Sequence, residues 1–177
     1  MKKQSFFIIA ASTLLFASCE RHEEGELITT VDFIVSHSGS STQTQFEDLD
    51  GPGGQDPNFP DTLVLNIGQS QAELKFWNKS LSSPISITDE ILEEAEDHLV
   101  CWDWIPDQPD HQDLMNISRT DIDPKGLELG LTADLNVKSG SSSTGIIRCT
   151  LKHQPGIKTG SCALGETDVE VNFPVRW

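Results

Sequence analysis

Apolar and polar residues alternate along most of the chain after residue 26, which is the pattern of strands with one buried face. The longest run, 127–137, places six apolar residues on one face: Leu127, Leu129, Leu131, Ala133, Leu135 and Val137. Shorter runs predict strands at 27–37, 42–46, 63–67, 72–76, 147–151 and 169–173, with further candidates at 101–105 and 114–119. The pattern therefore predicts about eight or nine short strands.

One stretch has helical periodicity instead. Ser86 and Thr88 are capping residues, and the acidic residues that follow suit the positive end of a helix dipole. An apolar stripe continues through Ile91, Ala95 and Leu99, with the acidic residues between them facing solvent. We expect one short amphipathic helix.

Many strands and one helix predict an all-β fold, an antiparallel β-sandwich with an immunoglobulin-like outline. A small β-barrel is the alternative. Residues 27–177 are long enough for a single domain with a sizeable core. The sequence contains no internal repeat, phosphate-binding loop or dinucleotide fingerprint.

The N-terminus has the features of a secretion signal. Lys2 and Lys3 precede an apolar run, 6–16, that is too short to span a bilayer, and small residues follow it. The segment 15–19 resembles the signal of a bacterial lipoprotein, which implies that residues 1–18 are removed and that Cys19 is acylated. The alternative is an ordinary signal cleaved near Ser18.

Residues 19–26 are polar and without periodicity, which predicts a flexible tether between the lipidated Cys19 and the domain. The acidic run in this tether resembles the signal that sends lipoproteins of Bacteroidetes to the outer face of the outer membrane. As a charge run it is equally a solvated spacer, so we expect the outer membrane and leave the leaflet open.

The composition is strongly acidic, with 28 Asp and Glu against 12 Lys and Arg and a formal net charge of −16. Nucleic acid is excluded as an expected partner, because binding phosphates needs a basic surface. Anionic lipid is also an unfavourable surface for such a chain. We therefore expect attachment to the membrane through the lipid anchor.

The chain has four cysteines, and acylation of Cys19 leaves three in a compartment that permits disulfides. Cys149 and Cys162 are the expected disulfide, because the residues between them are typical of a hairpin turn. Cys101 is then a buried free thiol. Alternatively, Cys101 pairs with either of the others.

Four segments, 46–54, 129–134, 151–156 and 165–173, resemble a group of small Bacteroidetes lipoproteins often labelled type 1 periplasmic-binding-domain proteins. That label implies an α/β sugar-binding fold, whereas the strand pattern of this chain predicts a β-sandwich. The resemblance also implies an association with TonB-dependent outer-membrane receptors, and hence nutrient or metal capture. It assigns no residue a role.

Carboxylates converge in one glycine-rich loop, where Glu47, Asp48, Asp50 and Asp56 form a candidate calcium site. The loop does not have the ligand spacing of an EF-hand. Asp and Gly are also ordinary turn residues, so a plain turn is the alternative.

Two pairs of soft ligands have spacings that occur in zinc sites, His98 with Cys101 and Cys149 with His153. Residues four apart in a strand are about 13 Å apart, so the second pair needs a turn to share one metal ion. A disulfide and solvated histidines are the favoured interpretation.

Trp102 and Trp104 project from the same face of a candidate strand and are candidates for an aromatic platform that binds a glycan ring. Packing in the core is the usual role of Trp and is the alternative.

No arrangement of nucleophile, base and metal ligands predicts catalysis. We expect a non-catalytic binding module, an accessory to a TonB-dependent uptake receptor. A structural envelope lipoprotein that makes only protein contacts is the alternative. A hydrolase would require a cleft with two separated carboxylates.

Overall fold

The structure, a computed structural model, describes residues 27–51 and 54–177. The predicted signal 1–18, the tether 19–26 and the lipidation site Cys19 lie outside the described residues. The described part contains one α-helix, α1 (Ile87–Glu93), and a 3-10 helix (Pro109–Leu114). Its strands are β1 (Thr30–His37), β2 (Ser40–Glu47), β3 (Leu63–Val64), β4 (Gly68–Asn78), β5 (Ile85–Ser86), β6 (His98–Pro106), β7 (Met115–Arg119), β8 (Thr132–Val137), β9 (Thr144–His153) and β10 (Glu166–Arg176).

The strands form two sheets that pack face to face. One sheet has the order β2-β1-β4-β8-β7, with β5 added to β4, and the other has the order β3-β10-β9-β6. All pairs are antiparallel except the short parallel pair of β3 with β10. The sheets do not close on themselves. The predicted all-β sandwich is confirmed, and the alternative of a barrel is wrong.

The core lies between the sheets, and alternation along the strands fills it. Phe33 from β1 in one sheet packs against Phe173 from β10 in the other, with ring centroids 4.9 Å apart. Leu74, Leu135 and Ile147 beside them are fully buried. Removing this apolar surface from water supplies the main driving force for folding.

The structure differs from the prediction at the start of one strand and at the end of the helix. The run 127–137 is a strand only from Thr132, because Gly130 has a positive φ of 87° and its Cα approaches the Val100 carbonyl oxygen so closely that a Cβ would collide. The helix ends at Glu93, and Leu99, expected on its apolar stripe, is buried in β6 instead.

The disulfide prediction is wrong in its pairing. Cys101 bonds Cys162, with Cα atoms 5.9 Å apart, while Cys149 is free and buried. The predicted hairpin of β9 and β10 does form. However, the Cys149 side chain points into the core between the sheets, and the exposed Cys162 lies beyond the opposite face of its sheet. Cys101 lies on that outer face, since its neighbour Trp102 packs against the core.

The segment that carries Cys162, residues 154–165, is held to the sandwich by buried polar contacts as well. The Lys158 ammonium pairs with the Asp123 carboxylate at 2.9 Å, with side chains 2% and 0% exposed, and also donates to the Ala95 carbonyl oxygen. The Gln154 amide donates to two carbonyl oxygens within the segment. This segment, which we call the clamp segment, is therefore fixed to both β6 and the end of α1.

Candidate functional site

Two histidines meet at one end of the second sheet. His98 begins β6 and His153 ends β9, and the antiparallel register places them directly opposite each other. Their rings stack with centroids 4.9 Å apart and planes 8° from parallel. The contact therefore follows from strand pairing between residues that are far apart in the sequence.

Helix α1 brings an acidic residue to the same place. Ser86 caps the helix by accepting from the Asp89 N–H, and Glu94 ends it with its own N–H bonded to the Glu90 carbonyl oxygen. The carbonyl oxygen of Glu94 in turn lies 3.1 Å from Nδ1 of His98. One ligand atom from each of Glu94, His98 and His153 lies within 4.8 Å of the others.

These three residues line a small pocket, which we call the histidine pocket. Its apolar lining consists of four side chains, from the segment before β1, from α1 and from β9: Ile28, Ile87, Ile91 and Leu151. Its polar lining consists of three carboxylates and two imidazoles: Glu90, Glu94, Asp168, His98 and His153. None of these described lining residues is Lys or Arg. The described lining thus presents carboxylate oxygens and imidazole nitrogens, which can bind a cation.

The volume of the pocket limits what it holds. It measures about 50 Å³, whereas pockets for drug-sized molecules measure roughly 300–1,000 Å³. A water molecule needs roughly 10–15 Å³ on this measure. The histidine pocket therefore has the size for an ion with one or a few waters, and is too small for a sugar ring.

The predicted calcium residues also come together. Glu47, Asp48, Asp50 and Asp56 all line one open cavity of about 260 Å³ in the loop 47–58, which we call the acidic loop. Asp50 already accepts from the Gln55 N–H, and Glu47 accepts from two side-chain amides. Among the described residues, Oδ1 of Asp48 has no hydrogen-bond partner although the atom is buried. Calcium binding here stays a prediction.

The aromatic platform predicted at Trp102 and Trp104 is wrong. Trp104 is 7% exposed, and its indole N–H donates to the His111 carbonyl oxygen. Trp102 packs against the core, contacts Phe33 edge to face and donates to the Gly130 carbonyl oxygen. Both rings face the other sheet, so neither offers a flat exposed surface to a glycan.

Of the four soft ligands considered for zinc, the structure brings two together. His98 and His153 are neighbours, whereas Cys101 is in the disulfide and Cys149 is in the core. Burial raises the pKa of the Cys149 thiol well above its usual value, with a smaller contribution from the Asp103 carboxylate. The free cysteine is thus a neutral core side chain.

Sequence reasoning missed Glu94, which it placed on a solvated helix face. The signal that points to it is the spacing of Glu94 and His98, four residues apart, at the predicted C-terminal end of the helix. The helix ends at Glu93, and the turn that follows it brings Glu94 and His98 into the lining of the same pocket.

Comparisons with known proteins find no relative: no family model matches the chain, and no curated protein or solved structure is significantly similar to it. Within residues 27–51 and 54–177, no helix combines the length and hydropathy needed to cross a bilayer.

Proposed function

We propose that this protein is a non-catalytic binding module of the cell envelope that captures a small ligand in the histidine pocket. One observation carries the proposal. Glu94, His98 and His153, contributed by two strands and a helix end, converge in a pocket with an apolar floor. A small number of convergent polar groups on an apolar wall is the usual composition of a ligand site.

The proposed module is attached to the outer membrane through an acylated Cys19 and works as an accessory to a TonB-dependent uptake receptor. The position of the pocket fits this arrangement. Ile28 lines the pocket and lies two residues after the predicted tether 19–26. The histidine pocket therefore lies at the end of the domain that joins the predicted tether, which supports a role close to the membrane anchor.

The second candidate is a structural envelope lipoprotein that makes only protein contacts. The observation in its favour is two exposed apolar residues, Leu49 in the acidic loop and Phe59 directly after it, which are 45% and 76% exposed. Exposed aromatic residues of this kind are enriched where proteins bind one another. This function would depend on the acidic loop, and the first would depend on the histidine pocket.

Two measurements on the full chain test the proposal. Labelling with an alkyne analogue of palmitate should mark the wild type and leave Cys19→Ala unlabelled. Affinity purification from outer membranes should recover a TonB-dependent receptor, identified by mass spectrometry, with the wild type and with His37→Ala. The same receptor should be depleted with His98→Ala/His153→Ala.

His37 is the matched control, because it is a partly exposed histidine at the far end of β1. Recovery of no receptor by the wild type would overturn the proposed role. Equal recovery by all three proteins would show that the histidine pocket plays no part in it. Loss of the receptor only when Phe59 and Leu49 are replaced would favour the structural alternative.

A further inference from the structure

We propose that the ligand of the histidine pocket is a divalent transition-metal ion of the zinc class, held by the Glu94 carboxylate and by one ring nitrogen each of His98 and His153. This inference rests on the proposed function, since it names the ligand of the same pocket. Two imidazoles and one carboxylate form a donor set that binds Zn²⁺ and leaves a fourth position open.

The hydrogen bond of His98 prepares its ring for this role. Nδ1 of His98 lies 3.1 Å from the Glu94 carbonyl oxygen. Because a carbonyl oxygen only accepts, Nδ1 carries the proton in the neutral ring and Nε2 keeps its lone pair for a metal. An imidazole that ligates a metal usually donates its other N–H in this way, to a carboxylate or to a backbone carbonyl.

The distances require a small closure of the site. The three ligand atoms lie within 4.8 Å of one another. Around a tetrahedral ion with bonds of about 2.0–2.1 Å, neighbouring ligand atoms are roughly 3.3 Å apart. Binding therefore draws the side chains together by at most roughly 1.5 Å, which rotation of the exposed Glu94 and the half-buried His153 can supply.

The orientation of the rings indicates which histidine moves. A metal ion lies close to the plane of each ring that binds it, and two planes only 8° from parallel do not share such a point. His98 is 9% exposed and is held by its hydrogen bond. His153 therefore turns toward the ion, and loading should unstack the two rings.

The surroundings select the class of ion. The pocket volume of about 50 Å³ admits an ion with a water in the open position. The Glu94 carboxylate brings a negative charge to a divalent cation at this position. The hard ions Ca²⁺ and Mg²⁺ take six or more oxygen ligands, so the two imidazoles favour Zn²⁺ and its neighbours in the transition series.

The open position is consistent with capture and release. Structural zinc sites close the ion in with four protein ligands, whereas three protein ligands leave one place for an exchangeable water. An incoming ligand from a partner can replace that water without prior loss of a protein ligand. The open position thus meets one requirement for transfer of the ion to a partner.

The test is calorimetric titration of the chelator-treated full-length lipoprotein in detergent with Zn²⁺, compared with His153→Ala, Glu94→Gln and His37→Ala. We expect one equivalent to bind to the wild type and to His37→Ala. Affinity should fall by at least about 100-fold in His153→Ala and clearly in Glu94→Gln, because losing a residue that binds the ion costs more than the roughly 10–100-fold effect of losing a residue that only hydrogen-bonds to a ligand. Circular dichroism of each variant checks its fold.

Co²⁺ provides a second readout, since its visible absorption reports coordination by imidazole and carboxylate in a four-coordinate site. The spectrum should appear with the wild type and be absent with His153→Ala. Failure of the wild type to bind Zn²⁺, or binding that survives both substitutions in the pocket, would overturn the inference.

The two proposals fail in different ways. If Zn²⁺ does not bind but the pocket variants still lose the TonB-dependent receptor, the metal inference is wrong and the binding module stands. If Zn²⁺ binds as expected and the receptor is recovered equally by all variants, the receptor role is wrong and the metal site stands.

Discussion

The histidine pocket and the acidic loop both hold clustered ligand groups, but the sandwich supports them differently. The ligands of the pocket lie at strand and helix ends, and the adjacent clamp segment is fixed by the Cys101–Cys162 disulfide and a buried ion pair. The acidic loop is attached through the Glu47–Asn58 bridge, and its Asp50 carboxylate is engaged within the loop.

The difference lies in how firmly the backbone of each set of donor groups is held before any ion binds. Donor groups whose backbone is fixed by strand pairing or at a helix end need only side-chain rotation to reach the ion, so less conformational entropy is lost on binding. Ligands on a loop must be ordered by the ion itself. The following experiments test whether the two regions differ as the contacts indicate.

The largest expected difference comes from the buried ion pair. Lys158→Met leaves the Asp123 carboxylate buried without its partner, which we expect to cost about 3–5 kcal/mol of unfolding free energy in urea. Lys125→Met removes an exposed pair with Glu96, whose side chains are 62% and 41% exposed, and should change stability little.

Because Lys158 also donates to the Ala95 carbonyl oxygen, its loss should loosen the backbone beside Glu94. Amide hydrogen exchange should therefore increase around α1 and the clamp segment, and change little in the acidic loop. Equal increases in exchange in the clamp segment and in the acidic loop would contradict the proposed difference in how the two regions are supported.

The disulfide should have the next largest effect. Its closed loop spans 61 residues, and replacing Cys101 and Cys162 by Ser should cost about 2–4 kcal/mol. Wild-type protein in reductant should match the variant in urea unfolding. If the acidic loop gains protease sensitivity before the clamp segment does, the two regions are not supported as proposed.

Stabilisation by bound metal ions should be a smaller effect, and it tests the histidine pocket and the acidic loop separately. Zn²⁺ at 100 times its Kd should add about 2.7 kcal/mol, which raises Tm by about 5–10 °C for a domain of this size. Ca²⁺ at ten times its Kd should add roughly 1.4 kcal/mol through the acidic loop.

Each of two variants should remove one of the two rises in Tm and leave the other. His98→Ala should abolish the rise with Zn²⁺ and leave that with Ca²⁺, whereas Asp48→Ala/Asp50→Ala should do the reverse. Scanning calorimetry measures both. Loss of both responses in one variant would mean that the regions are coupled, and a wild type without a Ca²⁺ response would remove the loop as a calcium site.

The smallest effect is the dependence of stability on acidity near the clamp segment. Burial raises the pKa of Asp123, but hydrogen bonds from Lys158 and from the Leu127 and Lys125 N–H groups lower it more, so its pKa lies below 3.8. The stability from this carboxylate is therefore complete at neutral pH. It is lost as the pH falls below the unfolded value and through the folded one.

The Lys158→Met variant should show the opposite trend. Its unpaired Asp123 is relieved by protonation, so the gap in unfolding free energy between variant and wild type should narrow in acid. A constant gap from pH 7 to pH 3, measured in urea, would contradict the proposed role of the pair.

Much of the fold could be predicted from alternation, since the strands predicted at 27–37, 72–76 and 169–173 all form and place Phe33, Leu74 and Phe173 in the core. The break at Gly130 could not, because it depends on the approach of the distant Val100 carbonyl oxygen. The disulfide prediction relied on the hairpin turn between Cys149 and Cys162. In β9, however, Cys149 lies on the same buried face as Ile147, which keeps it away from the turn segment.

The site was less predictable for a similar reason. His98 and His153 were singled out, but their contact depends on the register of β6 with β9, which no local pattern specifies. Glu94 joins them only because the helix ends one turn earlier than its periodicity predicted. Strand order and helix termination are set by the whole sandwich, so a site assembled from them is not visible in any one segment.

The buried Cys149 thiol has a practical consequence for following this protein in solution. It is 3% exposed, and it is the free thiol of the described chain. A thiol reagent can reach it only when the two sheets separate, whereas fluctuations of the clamp segment or the acidic loop leave it covered. The rate at which Cys149 is labelled therefore reports global opening of the native protein.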